Sequence, residues 1–125
     1  MIRVYGSTFI GKGSSSITFD EDAFTFINTA KITERQQQKA VNELVEDLKK
    51  TGIWNKLTAV YPFVGGNGDA HSYNLKNPEK YRFTWGSLAE HSLLGVVPHT
   101  QAHHNNLPVS DISSNAGNDV SVHMY

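Results

Sequence analysis

The sequence predicts an α+β fold in which short helices come first and short antiparallel strands follow. Residues 33–52 combine a helix start signal, one apolar stripe at helical spacing and a glycine stop. After Gly66 that spacing is lost, and short alternating segments lie between turn residues. The apolar fraction is 38% and the charged fraction 18%, below the usual averages of roughly 45–50% and 25%. Small polar residues fill the difference, which is typical of a loop-rich or β-rich protein.

Length, charge and cysteine content exclude several function classes. A chain of 125 residues is expected to form one domain. A net charge of −1 gives no field that attracts nucleic acid, and the lack of cysteine excludes disulfides and thiolate metal sites. The N-terminal residues lack the apolar core of a signal peptide, and no apolar stretch approaches the roughly 18 residues of a membrane span. We expect a soluble protein, made inside the cell, with no nucleic-acid partner, membrane span or cofactor.

We divide the chain into an N-terminal arm and hinge at residues 1–16, a helical segment at 17–61 and the start of a β-rich domain at 62–125. Alternation of apolar and polar residues in the arm predicts a short strand, and the Gly/Ser run at 11–16 predicts a flexible hinge. Two interpretations stay open: the arm pairs with another chain, or it is an edge strand of the same domain. The residues expected to dock are Ile2, Val4, Tyr5 and Phe9.

The first predicted helix covers residues 20–30. Asp20 is a good N-cap, and Glu21 and Asp22 follow it in the first turn, where the helix dipole favours negative charge. Three apolar residues fall at helical spacing and are expected to face the core: Ala23, Phe24 and Ile27.

The second predicted helix has a capping box, with Thr33 as N-cap and Gln36 reaching back to the backbone. Lys49 and Lys50 suit the C-terminal end of the dipole, and Gly52 supplies the left-handed stop. The apolar stripe comprises Val41, Leu44, Val45 and Leu48. Helical spacing then continues through Ile53, Trp54, Leu57 and Val60, and Pro62 ends it.

Short strands are predicted at residues 72–75 and 81–85, with turns at Asn77-Pro78 and Gly86-Ser87. Residues 95–118 are expected to be irregular. Alternation at Val120, Val122 and Met124 predicts a last strand. Two interpretations stay open: this is a genuine C-terminal strand, or the chain is the front part of a longer protein and the strand continues beyond it.

No motif for catalysis is present, and we expect no enzyme activity and no catalytic residue. His99, His103 and His104 cluster in the sequence beside Asn105 and Asn106, but neither zinc-protease spacing nor a nearby acidic residue accompanies them. We therefore expect histidines in solvated loops or at a subunit interface, and no metal. Aromatic rings can stack on sugars, so Tyr81 and Trp85 are the candidate sugar-stacking residues. The interpretation that we favour is that these two side chains belong to the core beneath a strand.

One long segment resembles a known class of protein. Its elements are an amphipathic helix, Gly52-Ile53-Trp54-Asn55-Lys56, Tyr61-Pro62-Phe63-Val64-Gly65-Gly66, His71 and Asn74-Leu75-Lys76-Asn77-Pro78. This pattern is similar to one in virion proteins of tailed bacteriophages, notably fibre, tail and other appendage proteins, where it precedes or opens a concanavalin A-like (laminin-G-like) jelly roll. The close match covers about a third of the chain. The resemblance implies that the predicted strands are part of a β-sandwich.

The resemblance also implies a function. We expect a structural component of a phage virion, a fibre or appendage protein anchored to capsid, collar or tail through its N-terminal part. Its partners would be other virion proteins and further copies of itself, a trimer by family analogy, and it would be made in the bacterial host cytoplasm. The alternative is a carbohydrate-binding module that recognises a host-surface glycan receptor. Two departures matter: 125 residues are too few for the whole sandwich, and no lectin-type calcium pair is present.

Overall fold

The computed structural model describes residues 18–99 and 103–108. The predicted docking residues Ile2, Val4, Tyr5 and Phe9, the hinge and the strand around Val120 lie outside this part of the chain. The described elements are α1 (Glu21–Thr29), α2 (Arg35–Lys50), a 3₁₀ turn (Trp54–Lys56), α3 (Gly68–His71), β1 (Glu90–Ser92) and β2 (Gly95–Val97). Strands β1 and β2 pair antiparallel, with His91 opposite Val96. The fold is therefore mixed α+β, as predicted.

Helix α1 confirms the predicted start. The Asp20 side chain accepts a hydrogen bond from the Asp22 backbone N–H at 2.9 Å. Lys49 Nζ, near the end of α2, lies 2.8 Å from Asp20 Oδ1 and 2.6 Å from Asp22 Oδ2. The acidic residues at the start of α1 thus cap this helix and also form ion pairs with the C-terminal end of α2. The predicted apolar face was wrong at Phe24, which is 43% exposed, because Phe26 fills the space between the helices and is completely buried.

Helix α2 begins after its N-cap residue Glu34, whose side chain makes no capping hydrogen bond. The predicted Thr33–Gln36 capping box was therefore wrong. Ile32, just before the helix, is buried in the core, and its carbonyl accepts a hydrogen bond from Gln38 Nε2 at 2.6 Å. Anchoring of Ile32 places Thr33 on the exposed surface. The apolar stripe is confirmed: Val41 and Val45 are buried, and Leu44 and Leu48 pack against the core.

The C-terminus of α2 is a Schellman motif. Gly52 has φ +76°, its N–H donates to the Lys49 carbonyl at 3.1 Å, and the Ile53 N–H donates to the Leu48 carbonyl at 3.0 Å. The predicted glycine stop is confirmed. Continued helical structure to Val60 was wrong, because only the turn Trp54–Lys56 follows and Leu57 is extended at φ −86°, ψ 137°.

Tertiary hydrogen bonds explain why the chain leaves the helical path after Trp54. The Val60 N–H donates to Asn74 Oδ1 at 2.9 Å, and the Val60 carbonyl accepts from the Leu75 N–H at 2.7 Å. Both backbone groups are satisfied by partners that no helix supplies. Trp54 remains buried, as predicted for the apolar side, with Lys76 Nζ 4.5 Å from its ring centroid.

The strands predicted at residues 72–75 and 81–85 were also wrong. Ser72 caps α3, and residue Thr84 makes a single antiparallel bridge with His104. The β-hairpin lies instead at residues 90–97, where no strand was predicted. The two predicted turns are confirmed, since the Lys80 N–H donates to the Asn77 carbonyl at 3.0 Å and the Ala89 N–H to the Gly86 carbonyl at 3.2 Å.

The core lies between α1 and α2 and continues onto α3 and the loop before Lys76. Its buried apolar residues are Ala23, Phe26, Ile27, Ala30, Ile32, Val41, Val45, Trp54, Ala70 and Leu75. All ten precede Lys76, and after that residue Phe83 and Trp85 stack on each other with ring centroids 4.8 Å apart.

Candidate functional site

The Tyr-Pro-Phe-Val-Gly-Gly segment, residues 61–66, connects the helices to the rest of the described chain, and we call it the joint. Gly65 has φ +102°, a conformation that L side chains rarely adopt. A Cβ at Gly65 would clash with the Ala70 Cβ and lie 2.8 Å from Ile32 Cδ1. The Gly65 N–H donates to Gln37 Oε1 at 2.9 Å. Glycine is therefore required at this position both by conformation and by space.

Gln37 connects three parts of the structure. Its Oε1 accepts from Gly65, and its Nε2 donates to the Leu93 carbonyl at the tip of the hairpin, at 3.1 Å. Helix α2, the joint and the hairpin are thus held together by one amide, whose donor and acceptor are both used. Gln37 lies outside the apolar stripe of the predicted helix, and no such role was predicted for it.

A buried amide and a guanidinium organise the loop that follows α3. Asn74 is completely buried, and its Oδ1 accepts from the backbone N–H groups of Val60 and Lys76 at 2.9 and 3.0 Å. The Arg82 guanidinium lies 3.9 Å from the Tyr73 ring centroid, and its Nη2 lies 2.7 Å from Asp69 Oδ1. These polar groups bind backbone and each other, which is the pattern of a structural network.

An aromatic cluster includes two residues of the joint and four that follow it: Tyr61, Phe63, His71, Phe83, Trp85 and His91. Phe83 and Trp85 stack with centroids 4.8 Å apart and planes 11° apart, and Tyr61 meets Phe83 edge-on at 4.5 Å. Trp85 Nε1 donates to the Gly68 carbonyl at 3.1 Å. Burial raises the pKa of the Tyr61 hydroxyl, and the hydrogen bond from Asn105 acts in the opposite direction.

Two histidines meet at the edge of this cluster. His71 Nδ1 and His91 Nδ1 lie 2.9 Å apart, one from α3 and the other from β1. His71 is completely buried, and its Nε2 has no hydrogen-bond partner within the described part of the chain. Burial lowers the pKa of His71 from 6.5 to about 4, and the nearby His91 adds to the decrease. The two imidazoles cannot both be positively charged in this arrangement, because the Nδ1 of one ring must accept the hydrogen bond from the other.

The candidate sugar-stacking residues occupy different settings. Trp85 lies half-buried in the aromatic cluster, with Phe83 against one face and His91 and His103 beside it at 5.2 and 5.3 Å. Tyr81 is half-buried at φ +62°, and its carbonyl accepts a hydrogen bond from the Tyr61 hydroxyl. The interpretation of sugar stacking stays a prediction.

The histidines that cluster in the sequence have separate partners. His99 Nε2 lies 2.6 Å from Glu90 Oε2. His103 Nδ1 accepts from the Gly86 N–H at 3.1 Å, so its proton lies on Nε2, which donates to the Pro98 carbonyl at 2.9 Å. Among residues 18–99 and 103–108, no three His, Asp or Glu side chains gather as a metal site would require. His71 and His91, twenty residues apart, carried no local signal for their contact.

Exposed apolar side chains concentrate on and beside the hairpin. Leu94 is 100% exposed at its tip, and the others are Leu88 at 60%, Leu93 at 57% and Val97 at 54%. Apolar surface gathered in one region is typical of a place where another element or chain binds. The joint, the aromatic cluster and this apolar hairpin surface together form the candidate functional region.

Comparison with protein-family models, with curated proteins and with solved structures finds no match to this chain. Within the part of the chain that the structure describes, no helix has the length and apolarity needed to cross a bilayer.

Proposed function

We propose that the chain is a structural component of a phage virion, a fibre or appendage protein anchored to capsid, collar or tail through its N-terminal part. The observation that carries the proposal is the joint: residues of the Tyr-Pro-Phe-Val-Gly-Gly motif, which carry the resemblance to appendage proteins, make close packing contacts between the helices and the following layer. Gly65 packs against Ala70, and Gln37 binds both Gly65 and Leu93. The role proposed for these residues is mechanical, and no enzymatic step is included.

Two further features support an assembly role. The apolar side chains of Leu93, Leu94 and Val97 are more than half exposed, as expected of a surface that other protein covers. The buried polar side chains Asn42 and Asn74 each bind backbone N–H groups and so stiffen the module. A rigid module with an apolar surface suits a permanent position in a particle.

The alternative function is recognition of a host-surface glycan, with Trp85 or Tyr81 stacking on a sugar. The contacts of Trp85 favour the structural role, because Phe83 stacks on its ring, and the rings of Phe63, His91 and His103 have centroids 5.2–5.9 Å from it. A glycan array probed with the whole chain distinguishes the two functions. Binding that disappears in Trp85→Ala or Tyr81→Ala, while the far-ultraviolet circular dichroism is unchanged, would replace our proposal with the alternative.

Incorporation into particles tests the proposed anchor. If the arm is a strand, as the sequence predicts, alternation would put Ile2 and Val4 on one side and Arg3 on the other. The double substitution Ile2→Asp with Val4→Asp should leave the chain folded but exclude it from particles. The matched control is Arg3→Ser, which should be incorporated as the native chain is. Normal incorporation of the double variant would disprove anchoring through the arm.

A further inference from the structure

We propose that the His71–His91 contact is a proton-sensitive latch, which fastens the β-hairpin to α3 at neutral pH and releases it in acid. The two residues are the pair of imidazoles that joins α3 to β1, with Nδ1 atoms 2.9 Å apart. Release would free the segment whose tip carries the exposed Leu93 and Leu94. This inference does not depend on the proposed place of the chain in a virion.

The geometry of the pair sets how many protons it tolerates. When only one of the two imidazoles is charged, its Nδ1–H donates to the Nδ1 of the neutral ring and the contact persists. A second proton, on His71, makes both Nδ1 atoms donors, and the hydrogen bond is replaced by repulsion between two cations. His71 is completely buried, and no group among residues 18–99 and 103–108 pairs with its Nε2 to share the charge. The latch therefore opens when His71 takes up a proton.

The other charged and titratable groups near the pair are bound to partners of their own. Proton uptake at this contact therefore depends on the two histidines. On α3, Asp69 is engaged by Arg82 at 2.7 Å. On the hairpin, Glu90 lies 2.6 Å from His99. From the segment beside Trp85, His103 is bound to the Gly86 N–H and the Pro98 carbonyl. The elements that pack on His71 itself present the rings of Phe63 and His91.

A second contact fastens the same hairpin, since Gln37 Nε2 donates to the Leu93 carbonyl. That hydrogen bond is exposed and uncharged, and it is unaffected by pH in the acidic range. Gly68 lies directly against the His91 ring, where an added Cβ would stand 3.1 Å from His91 Nε2. The hairpin is thus held at its tip by an amide and at its base by the histidine pair, and only the base responds to protons.

The size of the effect follows from linkage. The pKa of His71 is about 4 when buried and about 6.5 when released into solvent. Opening therefore takes up a proton between these two values, and the ratio of open to closed hairpin increases as the pH falls. Between pH 7.5 and pH 5.0 that ratio should rise about 30-fold, and it should level off below pH 4.

Native-state hydrogen exchange on the whole chain tests the latch. After correction for intrinsic rates, the protection factors of amides in residues 90–97 should fall about 30-fold between pH 7.5 and 5.0. Their exchange should change little with low concentrations of denaturant, whereas the amides of α1 and α2 should show the steep dependence of global unfolding. Hairpin amides that follow the helices in denaturant dependence, or that keep their protection at pH 5.0, would overturn the proposal.

Two substitutions complete the test. His71→Asn keeps a polar atom at the position of Nδ1 but does not titrate, so the pH dependence of hairpin protection should disappear. The control is His99→Asn, an exposed histidine after β2 that is paired with Glu90, in which the pH dependence should persist. If His71→Asn fails to fold, the nuclear magnetic resonance titration of native His71 decides instead: its protonation must coincide with loss of hairpin protection. Persistence of the pH dependence in a folded His71→Asn variant contradicts the latch.

Discussion

Gly65 approaches Ala70 so closely that a methyl group on Gly65 would clash with the Ala70 Cβ. The same methyl group would lie 2.8 Å from Ile32 Cδ1, in the core between the helices. The end of the Tyr-Pro-Phe-Val-Gly-Gly segment is therefore part of the helical core and not a flexible linker after it. This contact shows how a short motif joins the helical core to α3.

Gly65→Ala should destabilise the protein by about 2–5 kcal/mol, from backbone strain of about 1–2 kcal/mol and overpacking of about 1–3 kcal/mol. Gly52→Ala is the matched control, because Gly52 also has positive φ but no atom of the described residues lies within 4 Å of its added Cβ. It should cost only the strain, about 1–2 kcal/mol. Urea unfolding followed by circular dichroism measures both. Equal losses would show that close packing at Gly65 is unimportant.

Gln37→Ala should remove the hydrogen bonds to Gly65 and Leu93 and lower the free energy of unfolding by about 1–2 kcal/mol. Gln36→Ala, at the neighbouring exposed position, should stay within about 0.5 kcal/mol of the native protein. The hairpin amides should also exchange faster in Gln37→Ala, since the tip loses its attachment. A Gln37→Ala variant as stable as Gln36→Ala would contradict the connecting role of this side chain.

The helices were predictable because their signals are local. The Asp20 cap, the stripe through Val41 and Val45 and the Gly52 stop each depend on residues within a few turns of one another. The capping box at Thr33 failed because the burial of Ile32, a tertiary contact, decides where α2 begins. The start of a helix can thus be displaced by packing even when the local pattern is good.

The candidate site was largely hidden from sequence reasoning. Its main contacts join distant positions, such as Gln37 with Leu93, 56 residues apart, and His71 with His91, 20 residues apart. Neither pair has a spacing that indicates a motif. The hairpin was missed because its strands have three residues each, too few to show alternation.

Asn74→Ala should be among the most destabilising substitutions of a polar residue in the described chain. The Asn74 side chain accepts from two backbone N–H groups and donates to the Lys80 carbonyl at 3.3 Å. Leaving these partners unpaired should cost about 2–4 kcal/mol. Asn55→Ala, at an exposed position, should change stability by less than about 0.5 kcal/mol. A small effect of Asn74→Ala in urea unfolding would mean that water replaces the amide without penalty.

Stability should fall in acid through His71. Its pKa is lowered in the folded protein to about 4, so the unfolded chain, with a pKa of about 6.5, binds the proton first. The stability that the protein has while His71 is neutral is fully present above pH 6.5, and it is lost as the pH falls towards 4. Between pH 7.5 and 5.0 the free energy of unfolding should decrease by about 2 kcal/mol more in the native protein than in His71→Asn. Parallel pH profiles of the two proteins would contradict the lowered pKa.

The central claim, that the chain belongs to a phage particle, is tested most directly by immunoelectron microscopy. Particles purified from cells that produce the chain would be labelled with antibodies raised against the recombinant protein. We predict label at discrete positions outside the shell, on a fibre, collar or tail. Unlabelled particles, with the chain recovered only from the soluble fraction of the same cells, would contradict the claim.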